Sequence, residues 1–388
     1  MTVTDGATVI EKLRALHAGI AKRSDEIEAT RHLPRDIADS MVESKVFKLC
    51  VPRELGGVQG TALELVTAIE EMSQADSAAG WCLMISATSG VTAAYLAPEF
   101  AREIHGDPTT VTGGIFAPHG KAVKDGNGYL VSGTWQWASG SSHCQWMKGG
   151  CIVYEDGKPR MLREGVPDVR TMYFPRAAIR LHDNWYASGL CGTGSCDMTV
   201  ENLRVPEGHT LSMISDKPWC DGPLYRFPLF GLLAIGCGAV AIGIARGAIE
   251  DICELAGAKT PTLSRRTLAE RAQTQSDVAK AEAQVASARA WLHAEIDRSW
   301  DAATRGDAIP LARRAALRLA ATHAVDASVR AVDACYTLGG GTSVYRASAL
   351  QRRFRDVHVI TQHMMVAAPT YELAGRILLG LPVDGSMV

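Results

Sequence analysis

The chain has little net charge: 40 Lys and Arg against 42 Asp and Glu leave a formal value of -2. Neither sign is in excess, so neither nucleic acid nor an anionic membrane is expected as a partner. Metal-ligand spacing is also missing. The ten cysteines are scattered, and the nearest pair, Cys191 and Cys196, has no His or Cys cluster beside it in the sequence, which argues against a metal centre. Free thiols in a reducing cytoplasm are the expectation. Near the N-terminus, Asp5, Glu11, Lys12 and Arg14 leave no room for the apolar run of a signal peptide. One uncharged run, residues 227–245, has the length of a membrane span. It contains Pro228, Gly231, Gly236, Gly238 and Gly243, and reads instead as a helix buried on all sides inside a bundle. No internal repeat or low-complexity tract is present.

What is there suits a large globular protein. A length of 388 residues with 47% hydrophobic and 21% charged residues can bury a sizeable core and suggests two or three structural units. Ile10, Leu13, Leu16 and Ile20 recur at helical spacing, as do Ile37, Met41, Val42 and Val46. After Pro52 and the Gly56-Gly57 pair, a further helix is predicted over residues 63–72. From Thr109 the period changes. Val123, then Asp125-Gly126-Asn127-Gly128, then Tyr129-Leu130-Val131 reads as two strands around a tight turn. Cys151-Ile152-Val153-Tyr154 before Glu155-Asp156-Gly157 repeats the theme, and a last strand is predicted over residues 198–205. Beyond Tyr225 the chain is helical again, with Val278, Ala281, Val285, Ala288 and Leu292 forming a small-residue stripe suited to close helix packing. The units are placed at residues 1–106 (helical), 107–215 (β) and 216–388 (helical bundle).

Four stretches carry candidate functional residues. The first is Thr134-Trp135-Gln136-Trp137-Ala138-Ser139-Gly140, and the second runs from Trp185 through Gly192-Thr193-Gly194-Ser195. The third is Ser264-Arg265-Arg266. The fourth is Leu338-Gly339-Gly340-Gly341 followed by Arg355-Asp356 and Gln362-His363-Met364. Each has an ordinary structural reading beside the functional one: a sheet core with an incidental serine, a glycine-rich turn, a solvated charge pair, and a core histidine sharing a helical face with Val359 and Val366.

Together and in this order, the motifs resemble the acyl-CoA dehydrogenase family over nearly the whole chain. The resemblance implies a mainly α protein with an N-terminal helical domain, a β-barrel-like middle domain and a C-terminal four-helix bundle. It implies a flavin against the Ser139 strand, with the Ser139 hydroxyl reaching the N5 and O4 edge and Trp135 beside the ring. Thr193 and Ser195 would border the cofactor, Trp185 would cover it or wall the substrate pocket, and Arg265 and Arg266 would be phosphate ligands, a role that in the dehydrogenases falls to an arginine acting on a neighbouring subunit. The dehydrogenases' Arg-x-x-Phe-Gly pattern is missing there, since Thr267-Leu268-Ala269 follows Arg266.

The catalytic glutamate of the dehydrogenases is also missing. Its place falls on Met364, whose thioether cannot act as a base, and His363 stands beside it. The chain is more similar to the branch of two-component flavin-dependent monooxygenases, which hydroxylate aromatics or oxidise nitrogen and sulfur. That branch implies reduced FMN (FAD is the alternative) delivered by a separate reductase, reaction with O2 through a C4a-hydroperoxide, a small aromatic or heteroatom-containing substrate, and a homotetramer. His363 is then expected to titrate near neutrality and move the substrate or peroxide proton. Some members carry a second histidine after the first domain's Gly-Trp; here Gly80-Trp81 is followed by Ser86 and Ser89, with Tyr95 further on. Two other readings stay open: an acyl-CoA dehydrogenase-type FAD enzyme with a relocated base, for which Glu372 is the candidate, and a catalytically silent homologue.

Overall fold

The computed structural model describes residues 5–385. Helices come first: α1 (Gly6–Ala21), α2 (Ser24–Thr30), α3 (Arg35–Glu43), α4 (Ala62–Ala75), α5 (Ser77–Ser89) and α6 (Pro98–His105). The apolar spacing seen in the sequence buries Ile10, Leu13 and Ile20 of α1 and Ile37 and Met41 of α3. The N-terminus of α4 is closed by a reciprocal pair, in which Glu64 N–H donates to Thr61 Oγ1 and Thr61 N–H to Glu64 Oε2. Asp76 caps α5 by accepting the Ala79 N–H.

Strands follow: β1 (Thr112–Asp125), β2 (Gly128–Trp135), β3 (Trp146–Glu155), β4 (Lys158–Pro159), β5 (Met161–Arg163), β6 (Val166–Pro167), β7 (Val169–Pro175), β8 (Arg180–Leu181), β9 (Met198–Pro206) and β10 (Thr210–Leu211). The main sheet has the order β10-β7-β3-β1-β2-β9-β8, and β4 extends β3. β1 pairs with β3 in parallel, and the other ladders are antiparallel. The middle unit is therefore a mixed sheet with β10 and β8 at its two edges. The tight turn lies between β1 and β2, where Asp125 pairs with Gly128.

Helices resume with α7 (Pro223–Arg226), α8 (Leu229–Ala258), α9 (Ala272–Arg305), α10 (Leu311–Gly339), α11 (Ala349–Ile360) and α12 (Pro369–Leu378). Among the described residues α8 is the one helix long and apolar enough to cross a membrane, but 78% of its apolar window is buried inside the protein. It packs against α4, α5, α9, α10 and α11 and forms the centre of the bundle. Gly243 shows how closely: a Cβ there would lie 2.4 Å from the Glu70 carbonyl of α4, so the bare backbone lets α8 seat on the first domain. Ala281, Val285, Ala288 and Leu292 of the stripe are buried on α9.

Candidate active site

Segments from the first two parts of the chain meet at one hydroxyl, and the third packs against the indole bonded to it. The turn after β2 carries Ser139, and the turn leading to β9 carries Thr193 and Ser195. Backbone bonds hold the two turns together: Ala138 N–H donates to Cys196 O at 2.8 Å, and Gly140 N–H to Thr193 O at 2.9 Å. Ser139 Oγ and Ser195 Oγ are 2.6 Å apart, as are Ser195 Oγ and Thr193 Oγ1. Thr193 donates to Leu190 O at 2.8 Å. From α5, the Trp81 indole N–H donates to Ser139 Oγ at 3.1 Å. All three hydroxyl residues are buried.

His363 reaches the same place from the turn after α11. Its ring meets that of Trp81 edge-on, with centroids 5.5 Å apart. Nδ1 accepts the Met365 N–H at 3.3 Å and lies 3.5 Å from Cys237 Sγ. This leaves the proton on Nε2. Burial, reinforced by the Arg318 cation, pulls the imidazole down to about 4. The expectation of a group titrating near neutrality is thereby corrected: His363 is a neutral imidazole whose resting tautomer offers an N–H donor rather than a free base. Neighbouring Met364 is 58% exposed, whereas the imidazole packs against Trp81.

Arg355 and Asp356 hold the glycine turn to the bundle. Asp356 is buried and accepts the Leu190 N–H at 2.6 Å. Arg355 donates to Ser188 O at 2.9 Å and pairs with Glu28 at 2.8 Å. At Gly189 a Cβ would stand 2.5 Å from the Arg355 carbonyl, so only glycine allows the turn to lie flat on α11.

Beside the hydroxyls an open groove is lined by Gln136, Trp137, Asn184, Trp185, Tyr186 and Ser195. Trp137 and Tyr186 are largely exposed. Trp185 is half-buried and fixed by its indole N–H, which donates to Leu190 O at 3.1 Å. Arg31 closes the rim, its guanidinium 4.1 Å over the Tyr186 ring and 2.7 Å from Asp183. Aromatic faces beside a polar floor suit a flat, largely apolar ring with a hydrogen-bonding edge. Ser195 belongs both to this floor and to the hydroxyl cluster, so the residues present fit a flavin.

Ser139, Thr193, Ser195, Trp185 and His363 are thus brought together. Trp135 lies elsewhere: it is fully buried in the sheet, its indole N–H on Gly150 O at 2.8 Å and its ring 5.5 Å from Phe174. Arg265 and Arg266 are exposed on the segment between α8 and α9, with no side-chain hydrogen bond to the cluster. Glu372 is exposed on α12. Ser89 is bonded to Thr112 Oγ1 at 2.8 Å, which ties it to the sheet. Trp81 and Trp137 carry part of the site without having been singled out from the sequence. For Trp81 the available signal was chemical: a tryptophan in an apolar helix needs an acceptor for its N–H.

Comparison with known proteins agrees with this geometry. Residues 10–102 match the family model for the acyl-CoA dehydrogenase N-terminal domain, and residues 235–368 that for the acyl-CoA dehydrogenase C-terminal domain. Indole-3-acetate monooxygenase of Pseudomonas putida is 33% identical over 94% of this chain and 92% of its own. The chain belongs to the flavin-dependent monooxygenases of the acyl-CoA dehydrogenase fold. The oxygenase subunit HsaA of a flavin-dependent monooxygenase from Rhodococcus jostii is 25% identical over 98% of this chain and all of its own. Among solved structures, XiaF from Streptomyces in complex with FADH2 has the same fold, with a TM-score of 0.89 at 22% identity over 97% of this chain and 96% of that one.

Proposed function

We propose that this flavin-dependent monooxygenase is the oxygenase component of a two-component system and inserts oxygen into a small aromatic ring, with indoles and phenols the first classes to test. The observation that carries this reading is Trp81, which joins Ser139 through its N–H and His363 through its ring edge. Hydroxyl, indole and imidazole groups meet there, and the exposed Glu372 is not among them. Reduced flavin, when bound, supplies two electrons to O2, one atom of which enters the substrate while the other leaves as water.

The chain's own residues supply position and hydrogen bonds. With flavin bound, Ser139 would hydrogen-bond its N5 edge, Trp137, Trp185 and Tyr186 would lie against the ring, and the ring itself would cover the open groove and keep water from the buried hydroxyls. His363, neutral with its proton on Nε2, donates to a substrate oxygen or nitrogen or to the oxygen that leaves. Reduced FMN or FAD comes from a separate reductase in the cytoplasm. Arg265 and Arg266, exposed in one chain, serve as phosphate ligands across a subunit contact of a homotetramer.

The deciding experiment supplies reduced FMN, then 18O2 and indole-3-acetate or a 4-alkylphenol. Mass spectrometry should find one labelled oxygen in the product. Failure to bind flavin in either redox state overturns the proposal.

A further inference from the structure

We propose that the chain of hydrogen bonds from Trp81 through Ser139, Ser195 and Thr193 to Leu190 runs in one direction only, and that this polarity makes the site select reduced over oxidised flavin. The inference rests on the reading that the N5 edge of the ring meets Ser139.

The direction follows from the two ends. An indole N–H can only donate, and a backbone carbonyl can only accept. Trp81 gives its proton to Ser139 Oγ at 3.1 Å, and Thr193 gives its own to Leu190 O at 2.8 Å. Three hydroxyls stand between these ends, each with a single hydrogen. Thr193 has none left for Ser195, so Ser195 donates to Thr193 across 2.6 Å. Ser195 then has none left for Ser139, so Ser139 donates to Ser195 across 2.6 Å. Reversing either link sets two hydrogens or two lone pairs face to face in a buried site, where unmet polar groups are most costly. Leu190 O also takes the Trp185 N–H and the Thr193 N–H, each at 3.1 Å. With Thr193 Oγ1 and Leu190 O 2.8 Å apart, however, only the Thr193 hydroxyl hydrogen between them avoids a clash of lone pairs. Asp356 fixes Leu190 through its N–H.

Ser139 Oγ therefore keeps one lone pair and no free proton, and it can only accept. The N5 atom of a reduced flavin carries a hydrogen, and that of an oxidised flavin carries a bare lone pair. The first completes the chain. The second sets lone pair against lone pair. A ring that binds only after reduction by another protein is thereby favoured, and its spent oxidised form is released.

Anaerobic titration of the full chain with oxidised and with reduced FMN tests this, together with the midpoint potential of the bound flavin. The wild type is expected to bind the reduced form at least tenfold more tightly, and each tenfold raises the two-electron potential by about 30 mV. Ser195→Ala frees the Ser139 proton to face the ring, so the preference should fall towards unity; Ser195→Thr should restore it. Thr193→Val removes the acceptor for Ser195 and should also erase the preference. An unchanged ratio in both Ser195→Ala and Thr193→Val overturns the inference, as does a wild type without preference. Absence of binding to either form instead overturns the functional reading on which it rests.

Discussion

Asp356 accepts the backbone N–H of Leu190 at 2.6 Å, so the helix leading to His363 also fixes the turn that carries Thr193. Removing that acceptor leaves a buried N–H unpaired. Asp356→Ala is expected to cost about 1–3 kcal/mol, read from urea denaturation, and to weaken flavin binding as the turn loosens. Equal urea midpoints for variant and wild type would falsify the clamp.

The same carboxyl sets a pH dependence. Burial is the largest influence on Asp356 and raises it to about 6. Because its folded value lies above the unfolded one, the stability it contributes is present at acid pH and lost as pH rises through 6. Asp356→Asn keeps an acceptor for Leu190 and never ionises. Its urea midpoint should therefore gain on that of the wild type between pH 4 and pH 7. A gap constant with pH would show that the carboxyl is not perturbed.

Gly189 tests the other side of the same contact. Gly189→Ala sets a methyl 2.5 Å from the Arg355 carbonyl, which must push the turn off α11. The expected loss is about 1–3 kcal/mol, accompanied by weaker flavin affinity, whereas Gly341→Ala meets nothing within 4 Å and should leave flavin affinity unchanged. Calorimetry and flavin titration of the two variants separate a local clash from a general intolerance of alanine.

His363 carries a prediction about mechanism. Held down to about 4 by burial and the Arg318 cation, it is neutral from pH 5 to 8 and should place no inflection near 6.5 in the pH profile of kcat. As a donor, it should be replaced better by glutamine than by alanine, with His363→Ala lowering kcat about a hundredfold. A kcat inflection near 6.5 that disappears in His363→Gln would restore the titrating-base reading.

Much of the scaffold was legible because local rules decide it. The β1–β2 turn follows from Asp125-Gly126-Asn127-Gly128, and the α9 stripe from alanines spaced to share one helix face. His363 does point inward, but not by the helical face expected with Val359 and Val366: α11 ends at Ile360 and the turn that follows it aims the imidazole. What sequence could not give was contact across units. Trp81 meets Ser139 only because α5 lies against the β2 turn, a pairing separated by 58 positions. Trp135 and Trp137 lie two apart, yet one fills the sheet interior and the other stands exposed with a positive φ of 66°; the strand ends between them and the alternation is lost. The depressed titration of His363 depends on walls contributed by α8 and α10, which no spacing within its own segment reveals.

Lys148 supplies the last prediction. Its side chain is buried with no carboxylate partner among the described residues, its Nζ donating to Ser89 O at 3.0 Å and Thr92 Oγ1 at 3.1 Å and lying 4.6 Å over the Phe116 ring. Burial pulls the ammonium down from 10.5 to about 7. The unfolded chain therefore holds a proton that the folded chain releases between these values, and stability rises with pH across that window. The contribution is complete above pH 10.5 and lost as pH falls through 7. Between pH 7 and 9 it amounts to about 2 kcal/mol. Lys48, lowered to about 8 by its own burial, adds a separate rise that a change at Lys148 leaves in place. Lys148→Met should accordingly flatten, without abolishing, the increase in urea midpoint from pH 7 to pH 9. If the variant keeps the full wild-type slope, Lys148 stays protonated inside the fold, and the hydroxyl, carbonyl and ring around it must solvate a cation as well as water does.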